Sequence, residues 1–529
     1  MNNNKLLFLL LVYMFVLLIP TYFIPVFETT EARYSEISWE MIYNKDFIEP
    51  RYNGIKHFHK PPLTYWINAF GIKLFGVNGF SVRFFGVLAA VISLFLTVKI
   101  SRILKFSGHE QENVLYTLAS SILFLVVSRI VSTDIYLTLF TVGALYFLFR
   151  QIYYKKSILN TALFSLFLGL GFLTKGPVIF LFTILPYTIN KIFSKEHRKN
   201  FTLKEILWGT IIFTAISLPW YILVIIKNPE LLGYFLKVQT VDRIATNRFH
   251  RYKPFYFFII VLIGTFFPYV ISLLVSMLKD IKSKFANLWL YNYIIVPFII
   301  FSIAQSKLAT YILPLFPVAA ILAAKNVDFL FEKKIVKTIV TIFIGTTPFI
   351  FLVLPFFYRE LFNYWYIFLL LFTLSILGFY IFYKNQTLRF MSFYLIFLTT
   401  LGYFTTHVIG KYVNGYSEMA RVINKIDPER KILFVSYRAD IPSISFYRQK
   451  IAVTAMGRYR ETDFENTPDY KNYYLKSYEE FATFTSDKTL FFIALPKKYL
   501  DEITNLGFSC EEKFTQKKHS LFLCSKSQQ

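Results

Sequence analysis

The chain has 529 residues, 55% of them hydrophobic and 20% aromatic, a net charge of +25 and a mean hydropathy of +0.48. A water-soluble fold would not carry so many apolar runs of roughly 20 residues, the length that crosses a bilayer. Nor does the charge argue for a nucleic-acid partner, because much of it sits in short loops at helix ends, where Lys and Arg set topology.

Met1 to Lys5 is followed by the apolar run Leu6 to Ile24. That run exceeds the roughly 7–15 residues of a signal-peptide core and no small-x-small cleavage site follows it, so it is expected to remain as a first span. Further spans are predicted near 84–100, 113–128, 133–149, 158–173, 177–190, 205–226, 254–278, 288–303, 310–324, 335–357, 363–382 and 390–410, about thirteen in all. The loops between them alternate in character. One set, with Arg102 and Lys105, Lys155 and Lys156, Lys195 and Lys199, Lys279 and Lys282, Lys333 and Lys334, is short, basic and chemically plain, as cytoplasmic loops are. The other set holds two long segments, 25–83 and 227–253, and the tight turns of Arg129, Lys175 and Lys307. An odd number of spans places the N-terminus inside and the C-terminal region outside.

From residue 411 the pattern changes. Lys431 to Val435 and Thr489 to Ala494 read as buried strands, and Ser417 to Ile426 and Tyr478 to Phe484 as helices. This predicts a transmembrane domain over 1–410 and a small soluble α/β domain over 411–529. Cys510 and Cys524 flank Thr515-Gln516-Lys517-Lys518 as two strands of a hairpin would. A disulfide and two free thiols both remain open, the former in an oxidising compartment.

Threaded alternately, the spans bring every unusual polar motif to one membrane face. A pore would string such groups through the bilayer instead. Glu28, Glu31 and Arg33 lie just past the first span, in a stretch that reads as an amphipathic helix through Ile37, Met41 and Ile42. Its plainest reading is an interfacial helix with the charges among the headgroups. In His57-Phe58-His59-Lys60-Pro61-Pro62 the prolines stiffen the turn that holds Lys60. Asp134 follows Thr133 at the start of an apolar helix, and either suits a helix cap. Lys175 occupies another turn, Lys307 and Tyr311 a third, and His250 a basic and aromatic stretch. Each signal is weak alone. Together they gather carboxylates, at least four cations and an imidazole at one surface. Cations there suit a phosphate leaving group, and a carboxylate can take the proton of an attacking acceptor. The chemistry that fits is sugar transfer from a lipid-phosphate donor.

The motifs also resemble a known family. Thr30 to Ile37, Tyr52-Asn53-Gly54 through Lys60-Pro61-Pro62, Gly169 to Pro177, Leu218 to Tyr221, His250 to Tyr256 and Ser306 through Pro314 occur in the order found in ArnT-like lipid A glycosyltransferases. That group is the aminoarabinose transferases of the C-type glycosyltransferase fold, related to protein O-mannosyltransferases. The resemblance implies an α-helical polytopic membrane protein of the bacterial inner membrane with a periplasmic active site. It implies an inverting transfer of an amino sugar such as 4-amino-4-deoxy-L-arabinose from undecaprenyl phosphate to lipid A or a related glycolipid. Motif positions assign Arg33, Lys60, Tyr311 and Lys307 to the donor phosphate, Glu31 and Asp134 to catalysis, and Tyr34, Lys175 and Glu28 to substrate binding.

Two positions depart from the family pattern. Thr30 stands where the first-loop motif usually has Asp, so Glu31, Asp134 or Glu28 must supply the carboxylate. His59 stands where related enzymes often carry Glu; with His250 it keeps a capacity for a divalent metal such as zinc, without a catalytic part. A protein O-mannosyltransferase-like enzyme acting on secreted polypeptide is the alternative. A transporter or flippase is disfavoured, since neither internal repeats nor broken helices around a midplane site are evident.

Overall fold

Apolar runs interrupted by proline and glycine give this chain its helices. A computed structural model describes all residues except 29, 194–200, 243–251, 284–287, 358, 411–415, 458–467, 517 and 527–529. Among the described residues eight helices are long and apolar enough to cross a membrane. They are Asn3–Phe23, Gly79–Ile103, Thr133–Tyr153, Ile158–Lys175, Leu203–Lys227, Lys334–Phe357, Leu361–Asn385 and Leu388–Thr406. A ninth is the pair Phe257–Phe266 and Tyr269–Lys282, bent by 108° where Pro268 supplies no N–H to continue the first helix.

The count of thirteen is not reproduced, because several expected spans are broken. Residues 113–128 fall into Gly108–Ala119 and Ile122–Val127, parted at Ser120 and Ser121. Residues 177–190 form Val178–Phe182 and Ile184–Phe193. The segment 310–324 is a 3₁₀ turn, Ala309–Leu315, followed by the nine-residue helix Phe316–Ala324. Hydropathy sees none of these breaks, since the residues on either side are equally apolar.

The chain divides into two compact units, residues 1–18 with 86–403, and residues 19–85 with 404–529. The first holds most of the long helices. The second joins the first long loop to the C-terminal domain. Its loop part comprises the helix Thr30–Asn44, the hairpin of β1 (Arg51–Tyr52) and β2 (Ile55–Lys56), and the helix Leu63–Phe75. Asn53 and Gly54 make the hairpin turn at φ +46° and +82°, the left-handed pair such a turn requires. A Cβ on Gly54 would fall 2.2 Å from the Tyr473 ring, so only glycine fits.

The C-terminal domain is a six-stranded mixed sheet. Its strands are β3 (Leu433–Tyr437), β4 (Val453–Ala455), β5 (Tyr474–Leu475), β6 (Leu490–Leu495), β7 (Phe508–Gln516) and β8 (His519–Lys526), in the order β5-β4-β3-β6-β8-β7. β5, β4, β3 and β6 are parallel, and β8 and β7 close one edge antiparallel. Alternate residues face opposite ways: Val435, Phe491 and Ile493 enter one core with Phe481 and Ile503, while Phe434, Phe492 and Ala494 enter the other with Met419 and Ile444. The expected strands and helices of this domain are therefore all present. In the hairpin Cys510 lies directly opposite Cys524, and the two are disulfide-bonded.

Candidate active site

In the first unit, three of the residues singled out in the sequence converge. Ser132 caps the Thr133–Tyr153 helix, its hydroxyl accepting the Asp134 N–H at 3.1 Å. The cap is thus neither Thr133 nor Asp134. That frees the Asp134 carboxylate at the positive end of the helix, where an anion is favoured. Lys175 ends the Ile158–Lys175 helix, which Gly176 closes at φ +70°. Its ammonium donates to Asp134 Oδ1, and Ser132 Oγ donates to Oδ2 at 3.1 Å. The same ammonium stands 4.3 Å from the centre of the Tyr311 ring, a cation–π distance. Asp134, Lys175 and Tyr311 come from three separate elements. Lys307 is buried as well; its ammonium donates to the Lys253 carbonyl at 2.9 Å, beside the bridge between Tyr252 and Ser306. Desolvation lowers its pKa.

In the second unit, the Thr30–Asn44 helix does not turn its carboxylates outward, as an interfacial helix with its charges among the headgroups would. Glu31, Glu36 and Glu40 are all buried. Glu31 is gripped by Arg83, whose Nε donates to Oε1 at 2.9 Å and Nη2 to Oε2 at 2.6 Å. Arg83 also donates to the carbonyls of Ile24 and Pro25, at 2.5 and 2.8 Å, and Glu31 accepts the Phe27 N–H at 2.9 Å. This bidentate, buried pair ties the end of the first apolar run to the helix after it. Sequence reasoning missed Arg83, although a charge inside an apolar helix is the kind of signal that asks for a partner.

Glu36 accepts the Asn53 N–H at 3.2 Å, and Glu40 the Gly54 N–H at 3.1 Å. Burial, then the neighbouring carboxylate, pushes the Glu36 pKa well up. Glu40 is raised by burial too. The pair holds a proton where exposed carboxylates have lost theirs. Glu28 is also raised by burial, and its Oε1 accepts the Ser443 N–H at 3.0 Å. Tyr34 is buried with its ring 5.2 Å from that of Tyr65. Arg33 and Lys60 are half-buried. Pro62, two residues after Lys60, stands at the N-cap of the Leu63–Phe75 helix, consistent with the stiff turn.

His59 stacks on His57 with ring centres 4.7 Å apart, but His250 lies outside the described residues. Among those residues no three His, Cys, Asp or Glu side chains are grouped to hold a metal. The donor set seen is incomplete, and no step below passes through a metal.

Three comparisons bear on this geometry. Residues 59–222 match the family described as dolichyl-phosphate-mannose-protein mannosyltransferase. In sequence the chain is 32% identical over 336 residues to the undecaprenyl phosphate-α-4-amino-4-deoxy-L-arabinose arabinosyl transferase of Edwardsiella ictaluri, covering 59% of this chain and 58% of that one. It is 30% identical over 375 residues to the enzyme of the same name from Wigglesworthia glossinidia brevipalpis, covering 67% and 66%. The chain thus spans about three-fifths of the length of the curated relatives it matches. In structure it superposes on ArnT from Cupriavidus metallidurans bound to undecaprenyl phosphate with a TM-score of 0.83 at 20% identity, over 99% of this chain and 98% of that one. The resemblance read from the sequence holds: this is a multi-pass membrane chain with the ArnT fold, similar in sequence to the aminoarabinose transferases over about three-fifths of its length.

Proposed function

We propose that the chain is a polyprenyl-phosphate-sugar-dependent glycosyltransferase that moves an amino sugar, 4-amino-4-deoxy-L-arabinose in the first instance, from undecaprenyl phosphate to lipid A. The observation that carries this reading is the meeting of Asp134, Lys175 and Tyr311 from three elements. Asp134 is the general base that takes the proton of the acceptor. The acceptor oxygen forms its bond to the anomeric carbon as the bond to the lipid-phosphate oxygen breaks, and the phosphate leaves with the electron pair. Single displacement inverts that carbon. Lys175 spends one of its three N–H donors on Asp134, leaving two for phosphate oxygens. Arg33, Lys60, Lys307 and Tyr311 are assigned to the donor phosphate, and Tyr34 and Glu28 to the surroundings of the substrate. Glu31, expected as a second catalytic carboxylate, is assigned an anchoring role because Arg83 occupies both its oxygens.

The site and the C-terminal domain face the periplasm from the inner membrane, with the N-terminus cytoplasmic. The basic plain loops favour this orientation, as does a disulfide in the C-terminal domain. Along the sequence the membrane part runs to about residue 410 and the C-terminal domain over 411–529, with the loop 19–85 grouped with that domain. The test is lipid A mass spectrometry on cells with and without the gene. A sugar increment lost on deletion, and restored by the intact gene but not by Asp134→Ala, supports the reading. Unchanged lipid A with sugar lost from secreted proteins would favour the protein acceptor, the second reading suggested by the match over 59–222.

A further inference from the structure

The role of the C-terminal domain follows from what it touches inside the second unit. Between β3 and the helix Pro442–Arg448 runs the short connection Arg438 to Ile441. This connection and the helix after it reach the first loop at four points. Asp440 Oδ1 accepts the hydroxyl hydrogen of Tyr52. The Ser443 N–H donates to Glu28 at 3.0 Å, and the Ser445 hydroxyl to Asn53 Oδ1 at 2.8 Å. The Tyr447 hydroxyl accepts the Val26 N–H at 2.7 Å.

Tyr52 makes the first of these contacts, and its neighbour Asn53 makes another. Tyr52 is 3% exposed and sits on β1, beside the Asn53-Gly54 turn that Glu36 and Glu40 hold from the other side. Burial, and after it the Asp440 carboxylate, raises its pKa, so the phenol keeps its proton and stays a donor; Arg33 and Glu28 also act on it electrostatically. A hydrogen bond from a phenol to a carboxylate is roughly twice as strong as a neutral one. Arg33 precedes Tyr52 on the same loop and Lys60 follows the hairpin by four residues. A displacement of about 1 Å in a positioning group can cost about a hundredfold in rate.

We propose that Asp440, from the C-terminal domain, is a positioning residue for the sugar donor: through the buried Tyr52 hydroxyl it sets the stance of the loop that carries Arg33 and Lys60. The domain is then a working part of the enzyme. This rests on the assignment of Arg33 and Lys60 to the donor phosphate.

The test uses the full-length protein in lipid nanodiscs with Tyr52→Phe, Asp440→Ala and Asp440→Asn. Undecaprenyl phosphate binding, transfer kinetics and the melting temperature are measured for each. Tyr52→Phe and Asp440→Ala are expected to weaken binding and raise the KM for the sugar donor about tenfold while kcat stays within about threefold. Melting is expected to fall by a similar amount in both single variants, so binding and KM are compared per folded molecule, and the double variant should be no worse than either single one. Asp440→Asn, whose amide oxygen still accepts the phenol hydrogen, should recover most of the loss. If Asp440→Ala fails to fold, Tyr52→Phe reports on the same contact. Wild-type binding and KM in both single variants would overturn the inference alone. If the wild type binds no undecaprenyl phosphate, the assignment of the donor ligands fails, and this inference with it.

Discussion

Asp134 and Glu31 are equally screened from solvent, each side chain 7% exposed and each paired with a cation. They are held in opposite ways. Glu31 is clamped through both oxygens by the fork of Arg83, which in turn pins two backbone carbonyls. Asp134 meets a single ammonium at the end of a flexible stem, and that ammonium rests against an aromatic face. The first pair is a rigid brace with its hydrogen-bonding capacity spent. The second, under the proposed function, exchanges partners when the donor phosphate arrives. Burial alone does not separate scaffold from chemistry; the geometry of the partner does.

Breaking the brace should have the largest effect. Arg83→Met leaves a buried carboxylate without its cation, which costs about 3–5 kcal/mol. It is expected to appear as lost folded protein in size-exclusion and melting measurements, with activity per folded molecule kept. A folded variant with slow turnover would reverse the roles given to the two pairs. Lys175→Met attacks the other side of the comparison. Turnover per folded molecule should fall about a hundredfold, or about 2.7 kcal/mol in the barrier, alongside the loss of stability that follows from leaving the buried Asp134 carboxylate without its cation. Lys60→Ala should lower kcat/KM for the sugar donor at least about tenfold, roughly 1.4 kcal/mol; a smaller loss removes Lys60 from the phosphate site.

The pH dependence of stability is the finest probe of the braced region. The Glu36 pKa is raised in the fold above its ordinary 4.5, with Glu40 raised beside it. The folded state therefore binds more protons than the unfolded one above about pH 4.5, and stability declines as pH rises from there toward the raised values. Glu36→Gln removes that titration and keeps the shape. The fall in melting temperature between pH 5 and pH 8 should be shallower in this variant than in the wild type. An identical slope would place the proton elsewhere.

What was legible in the sequence divides along physical lines. In the C-terminal sheet β3, β6 and the hairpin of Cys510 and Cys524 were legible, because strands buried on both faces are continuous apolar runs, whereas the short strands β4 and β5 carry too few residues to stand out. The membrane helices were legible in number only approximately. Breaks at Ser120-Ser121 and at Pro268 leave the hydropathy of the whole run unchanged. Asp134, Lys175 and Tyr311 were each visible as odd residues in tight turns, yet nothing local to any of them announces the other two. Arg83, Glu36, Glu40 and Asp440 were missed for the same reason. A charge on an otherwise ordinary helix or loop looks solvated until a partner dozens to hundreds of residues away is brought to it, as Arg83 is to Glu31 and Asp440 to Tyr52.

The most direct test of the account sets its two carboxylates against each other in one assay. Purified Asp134→Asn and Glu31→Gln would be compared with the wild type for transfer from undecaprenyl-phosphate aminoarabinose to lipid A, with rates normalised to folded protein. Loss of a general base costs about a hundredfold or more, so Asp134→Asn should fall by at least that much at an unchanged melting temperature. Glu31→Gln should melt earlier and turn over normally per folded molecule. Near-normal turnover by Asp134→Asn, with Glu31→Gln folded and inactive, would contradict the account.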